Sequence, residues 1–288
     1  MGAEVQVAES FTNLFSVLRA SIVQQAFAMW FGMSSYRDPD ISDWLELALP
    51  LVQAGQETSS TATTAYIQMQ MDVLGNDGII TPPEINLVTG SAIRNGVPPE
   101  VVYARPFVDV WTALSNGKDF AEAIQMGADR LRRLIETDLQ LSHTHTARNI
   151  FSRQNKVQGF KRVPTGSYTC ALCMVASTQT YRKFDLLPIH PGCDCRVAPV
   201  ISEDTIPRVD KETLERIHSA IQKQFGLSAR DAREVDYRKI TLVEEHGEYG
   251  PTLTIAGHKF TGPDGLKGKE APSWSTDFSD FNNALALG

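Results

Sequence analysis

Every cysteine of this 288-residue chain lies between Cys170 and Cys195, and one histidine lies among them. Together they form Cys170-x2-Cys173-x16-His190-x2-Cys193-x-Cys195. Soft sulfur donors in an x2 pair, followed by a histidine and two more cysteines, read as a tetrahedral zinc site. Cys170-Ala-Leu-Cys173 is a turn that lets two thiolates face one point. His190-Pro-Gly-Cys193 repeats it, with proline setting φ and glycine allowing the bend. Four donors are needed and five are offered. The paired turns select Cys170, Cys173, His190 and Cys193, with Cys195 as the alternative fourth ligand, on the same face of an extended Cys195–Val200 segment. Two disulfides are a competing reading, as is a redox Cys-x-x-Cys. The first needs an oxidising compartment and the second a βαβ setting, and no such pattern surrounds Cys170. A closed four-donor set is structural, because a catalytic zinc keeps one position open. Zinc deaminases place a His-x-Glu and a Pro-Cys-x-x-Cys around the metal, and neither stands among these cysteines; the His-Glu-x-x-His of metalloproteases is missing from the chain.

With 27 Lys and Arg against 34 Asp and Glu, the net charge is −7, which does not describe a dedicated DNA-binding chain. No apolar run approaches membrane-spanning length, so no membrane anchor is expected. Met1-Gly2 begins like a myristoylation signal, but Gln6 stands where Ser or Thr is required. Synthesis in the cytoplasm is the expectation.

The chain divides into four parts: a helical region 1–117, a long basic helix with its connector 118–159, a zinc-binding domain 160–262, and an extended tail 263–288. In the first, Phe11, Leu14, Phe15, Leu18 and Ile22 recur at helical spacing and Phe27, Trp30 and Phe31 extend the stripe, which either fills a core or docks on a partner. Asp38 is placed to cap the next helix ahead of Pro39, and Pro50 should kink it. A helix over Pro99–Leu114 and another from Phe120 to Arg153 follow. Beyond Phe160, short strands are expected at Phe160–Val163, Gln179–Arg182 and Cys195–Val200, then a helix from Asp210 to Gly226. Two more strands flank a turn from Glu245 to Pro251. The fold class is α+β: a mainly α-helical first half, then a small mixed α/β domain stabilised by zinc.

Arg130, Arg132, Arg133, Arg148, Arg153, Lys156, Lys161 and Arg162 concentrate positive charge just ahead of the cysteines. Against an acidic background this is either a solvated helix face or a surface for phosphate or an acidic partner. His143 and His145 lie within it, at a spacing that points them apart on a helix.

The Cys170–Cys173 pair followed by His190-Pro-Gly-Cys-Asp-Cys195 resembles the C-terminal signature of the MuF-like head-morphogenesis family, the portal-associated minor capsid proteins of tailed bacteriophages. Ala147-Arg-Asn-Ile-Phe151, Val163-Pro-Thr-Gly and Glu245-His-Gly-Glu-Tyr-Gly-Pro-Thr-Leu-Thr254 are similar to the versions from actinobacterial phages, and the likeness extends from about Phe120 to Phe260. It implies a virion protein near the portal vertex inside the head, present in few copies, that assists head assembly, DNA packaging or ejection. The implied partners are the portal protein, the major capsid protein and packaged double-stranded DNA, and the implied cofactor is a structural Zn2+. Asp194 replaces the family's basic residue between the last two cysteines, and Arg196 can supply the charge instead. Some relatives carry a protease or toxin domain, but no Gly-x-Ser-x-Gly or nuclease-like constellation occurs here. His246 and Glu248 are the best leftover acid–base pair. The expectation is a non-enzyme. A zinc-dependent nuclease or maturation protease is the alternative, and a non-specific DNA-binding module is the second.

Overall fold

The computed structural model describes residues 3–165, 171–182, 195–202, 215, 218–219, 241–246 and 250–255. A mostly helical N-terminal region is followed by a smaller region of mixed helix and strand. Helix α1 runs Ala3–Phe31, and its inner stripe of Phe11, Phe15, Ile22, Ala26 and Trp30 is buried in the main core. The aromatic stripe is therefore core, while Leu14, Val17 and Phe31 look outward. Contrary to the sequence expectation, α1 is long and apolar enough to cross a membrane. Only Glu4, Glu9 and Arg19 are charged along it, so scattered apolar residues carry the window hydropathy without an unbroken apolar block. Its Arg19 turns inward, with Nη2 donating to Gln140 Oε1 at 2.9 Å.

Helix α2 (Asp38–Val73) is capped one residue earlier than expected: Arg37 holds the extended N-cap position without a side-chain bond. Asp38 and Asp40 instead lie in the first turn, where carboxylates oppose the helix dipole favourably. The helix continues through Pro50. Its Ser/Thr run faces α5 (Phe120–Arg153): Ser59 Oγ donates to the Leu139 carbonyl at 2.9 Å and Thr146 Oγ1 donates to Ser60 Oγ at 2.9 Å. A Cβ on Gly55 would meet Ile22 and Leu139 at 3.0–3.2 Å, so the small residues set the approach of three helices.

The expected single helix at 99–114 is two, α3 (Pro99–Tyr103) and α4 (Arg105–Ser115). Pro106 has no N–H to continue the first helix and sits in the opening turn of the second, where none is needed. Helix α5 matches its expected limits. Asp119 caps it by accepting from the Glu122 N–H at 2.8 Å, and 34 residues at 1.5 Å each make it about 50 Å long. Gly127 marks where α4 and α1 press on it, since a Cβ there would lie 2.6 Å from Trp30 and 2.7 Å from Val110.

Past α5 the chain enters an antiparallel sheet of order β2-β1-β3, made of Gly159–Val163 (β1), Thr180–Arg182 (β2) and Arg196–Val200 (β3). These are the expected strands within a residue or two. Where a cysteine turn was expected there is instead a short helix, α6 (Ala171–Ala176). A hairpin, β4 (Thr241–His246) with β5 (Gly250–Ile255), extends the strands into residues expected to turn. Of the expected helix at 210–226, Glu215, His218 and Ser219 are described and are helical. The rest of that helix and the tail 263–288 lie outside the described residues.

Candidate metal centre and basic surface

Two of the five proposed donors are described, and both are buried thiols: Cys173 on α6 and Cys195 directly before β3. Cys170, His190 and Cys193 lie outside the described residues. Among the described residues no group of three or more metal-ligating side chains converges.

Strand alternation decides which way the sheet's side chains face. Arg196 and Lys161 face the helices: Arg196 Nε donates to Thr12 Oγ1 at 3.1 Å and Nη1 to Gln140 Oε1 at 3.1 Å, and Lys161 pairs with Glu4 at 3.0 Å. Their neighbours lie on the opposite face, which the end of α5 also covers: Phe160 stacks on Phe151 with ring centroids 6.5 Å apart. Phe160 stacks on Tyr181 with ring centroids 5.1 Å apart, and the Arg162 guanidinium lies over both rings. Tyr181 Oη donates to the Ala176 carbonyl at 3.1 Å, which ties this face to α6, the helix of Cys173. Burial pushes the Tyr181 hydroxyl's pKa up, the Arg162 charge pulls it down, and the charges of Cys195 and Cys173 push it up again. The two cysteines thus share a neighbourhood with one tyrosine and one buried guanidinium. That donor chemistry fits a thiolate-rich metal.

The eight basic residues do not form one surface. Arg130 and Arg133 both bear on the half-buried Asp109 of α4, whose pKa is raised by burial against their pull. Arg132 pairs with Glu136 one turn on, at 3.6 Å. Roughly 35 Å further along the helix axis, Arg153 Nη2 donates to the Thr81 carbonyl at 3.2 Å and Lys156 Nζ to Asn76 Oδ1 at 2.6 Å, holding the loop after α2. Arg148 is exposed nearby, whereas Lys161 is ion-paired and Arg162 is buried. Arg196 cannot supply an external charge in place of Asp194, because it is wholly buried over the Phe11 and Phe15 rings. Its place on the inward side of β3 decides this.

Sequence reasoning missed a buried polar knot. Asp138 Oδ1 accepts from Arg94 Nε at 2.6 Å, and its Oδ2 accepts from Tyr103 Oη at 2.8 Å and Gln56 Nε2 at 3.2 Å. A signal was present: Asp138 sits on the same helical stripe as Leu131, Leu134 and Ile135, which is a core position. His143 is also interior, among Phe11, Phe15 and Tyr66. Thr63 Oγ1 donates to the Ser59 carbonyl at 2.7 Å, so the 2.9 Å contact with His143 Nδ1 requires the imidazole to donate. His246 ends β4, while Glu248 lies outside the described residues.

Comparison with known proteins returns no match: no family model, no curated protein and no solved structure matches this chain. The functional reading rests on the residues themselves.

His145 gives a pH handle. Burial, and then the charge of Arg148, lower its pKa to about 4. An unfolded histidine titrates near 6.5, so between those values the unfolded chain binds more protons and stability falls as pH falls. Native stability should drop by about 2 kcal/mol between pH 7 and pH 5 through this group. Urea midpoints for wild type and His145→Gln at both pH values check it, and the variant should lose correspondingly less on acidification.

Proposed function

We propose that this chain is a structural and interaction protein of a tailed-phage head, seated inside the head near the portal vertex and assisting assembly, DNA packaging or ejection. The observation that carries the reading is the Cys/His signature, supported by its setting: a long helix leads into a small sheet, with Cys173 on the helix α6 beside it and Cys195 directly before β3, both buried. Cys170, Cys173, His190 and Cys193 or Cys195 would hold a zinc ion, which when bound would cross-link α6 and β3. The chain's own residues do the rest: Phe160, Tyr181 and Arg162 cover that face, and Arg196 fastens its other side to α1 and α5. No catalytic step is assigned to it. The portal is the first partner in this reading, met through the helical region, with the major capsid protein as a neighbour. Packaged DNA is a second contact, through Arg148 and its neighbours at the end of α5.

Mass spectrometry of purified particles from the phage that encodes the chain should find it in few copies per head, and its absence from particles overturns the proposal. Reversing Arg148, Arg153 and Lys156 to Glu separates the two contacts. Heads that contain the variant but package or eject DNA poorly support phosphate contact, with DNA binding that is weak, indifferent to sequence and salt-dependent. Failure of the variant to enter heads identifies a docking surface instead. Because Arg153 and Lys156 also hold the loop after α2, Arg148→Glu alone should reproduce the DNA effect in milder form.

A further inference from the structure

We propose that Cys195 is a primary metal ligand, paired with Cys173 on the Phe160–Tyr181 face of the three-stranded sheet, rather than the spare donor its position in the motif suggests. The inference rests on reading the cysteine cluster as a zinc site.

The register settles which face is involved. Val163 pairs with Arg196 and Arg162 with Val197, so each pair shares a face. Arg196 is locked on the bundle side by Gln140 and Thr12, so Val197 and Arg162 lie on the other side. Carried one residue back from Arg196, the same alternation turns Cys195 to that other side. Phe160 and Tyr181, partners in the β1–β2 ladder, lie there too, and the tyrosine reaches α6 through the Ala176 carbonyl. Cys173 lies three residues before Ala176 in that helix and is as deeply buried as Cys195. Two elements remote in sequence thus each carry a buried cysteine beside the Phe160–Tyr181 face.

Charge and rigidity agree. Arg162 holds a buried guanidinium on this face, and buried cations are stabilised by anionic neighbours such as thiolates. Cys195 also has a firm backbone, since the strand that follows is hydrogen-bonded to β1 along its whole length and pinned by Arg196. A ligand on a pinned strand needs little ordering when metal binds.

The test uses the full-length reduced protein. Zinc per chain is measured by elemental analysis, and the thiolate-to-metal charge-transfer band is read after cobalt substitution, for wild type, Cys193→Ser and Cys195→Ser. Cys195→Ser is expected to lose zinc, or to keep cobalt with a band reduced by one thiolate's share. A folded Cys195→Ser protein with full zinc and an unchanged band overturns the inference and leaves the zinc reading standing. Wild type without metal overturns the zinc reading and this inference with it. If Cys195→Ser does not fold, the cysteine β-carbon shifts of selectively labelled, zinc-loaded wild type decide the matter. A metal-bound shift at Cys195 supports the assignment, and a thiol shift there overturns it.

Discussion

Replacing Asp138 with Ala should destabilise the protein by about 3–5 kcal/mol, the range expected when one partner of a buried ion pair is removed. Arg94 and Asp138 are nearly inaccessible to water, and their closest approaches are 2.5 and 2.6 Å. Such a pair adds little over an apolar replacement of both, because burying two charges costs almost what their attraction returns. Removing one is different. The Arg94 guanidinium, the Tyr103 hydroxyl and the Gln56 amide would all lose their shared acceptor in a place that water does not reach. Such a loss is a large share of a typical domain stability of roughly 5–15 kcal/mol. The urea midpoint measures it, and a loss below about 1 kcal/mol would show that the knot is not a coupled unit. A local readout accompanies the global one. Gln56 Oε1 accepts from the Gly90 N–H at 2.8 Å, so the two 3-10 turns over Ile85–Leu87 and Gly90–Arg94 hang on this cluster. Amide exchange at Gly90 should accelerate in the variant more than exchange in the middle of α5.

The elements that could be read from the sequence were those whose local signal agrees with their packing. Asp119 followed by the Glu122 amide opens α5, and apolar residues at helical spacing carry it to Arg153. The strand from Arg196 is apolar after its first residue, with Val197 and Val200 β-branched, and lies where expected. What could not be read was which polar residues go inside. Arg162 and Arg196 look like surface charge in a basic segment, yet alternation on a sheet with both faces covered buries both. Arg94 ends a short 3-10 turn in a segment with no apolar periodicity, so its ion pair across 44 positions leaves no local trace. The setting of the cysteine motif was not legible, because spacing alone does not show that Cys173 is helical or that Cys195 precedes a pinned strand. The 99–114 helix failed for a simpler reason: Pro106 outweighed an otherwise continuous apolar stripe.

Removing the metal should have the largest effect of all, and it should be uneven along the chain. Structural zinc sites carry apparent binding free energies of roughly 10 kcal/mol or more near neutral pH, and where the site exists only in the folded state that energy belongs to folding. Purified reduced protein is expected to hold about one zinc per chain. The core is continuous, reaching Phe160, Val163, Val197 and Ala198 of the sheet, but most of it, including Phe15, Trp30, Tyr66, Phe107 and Leu139, comes from the helices α1, α2, α4 and α5. A chelator at neutral pH should therefore spare most of the helical circular dichroism while amide protection in β1, β2 and β3 is lost. The two regions are not independent, because Arg196 reaches Gln140 and Thr12. Chelation should also lower the bundle's thermal midpoint, by less than it loosens the sheet. Cys170→Ser and His190→Ala should mimic chelation. Acid should weaken zinc retention progressively, since thiolate and neutral imidazole are the binding forms. Reduced, undenatured protein that contains no metal, or whose sheet amides stay protected in chelator, would sink the zinc reading. Phe160, Tyr181 and Arg162 would then be holding that face together without a metal.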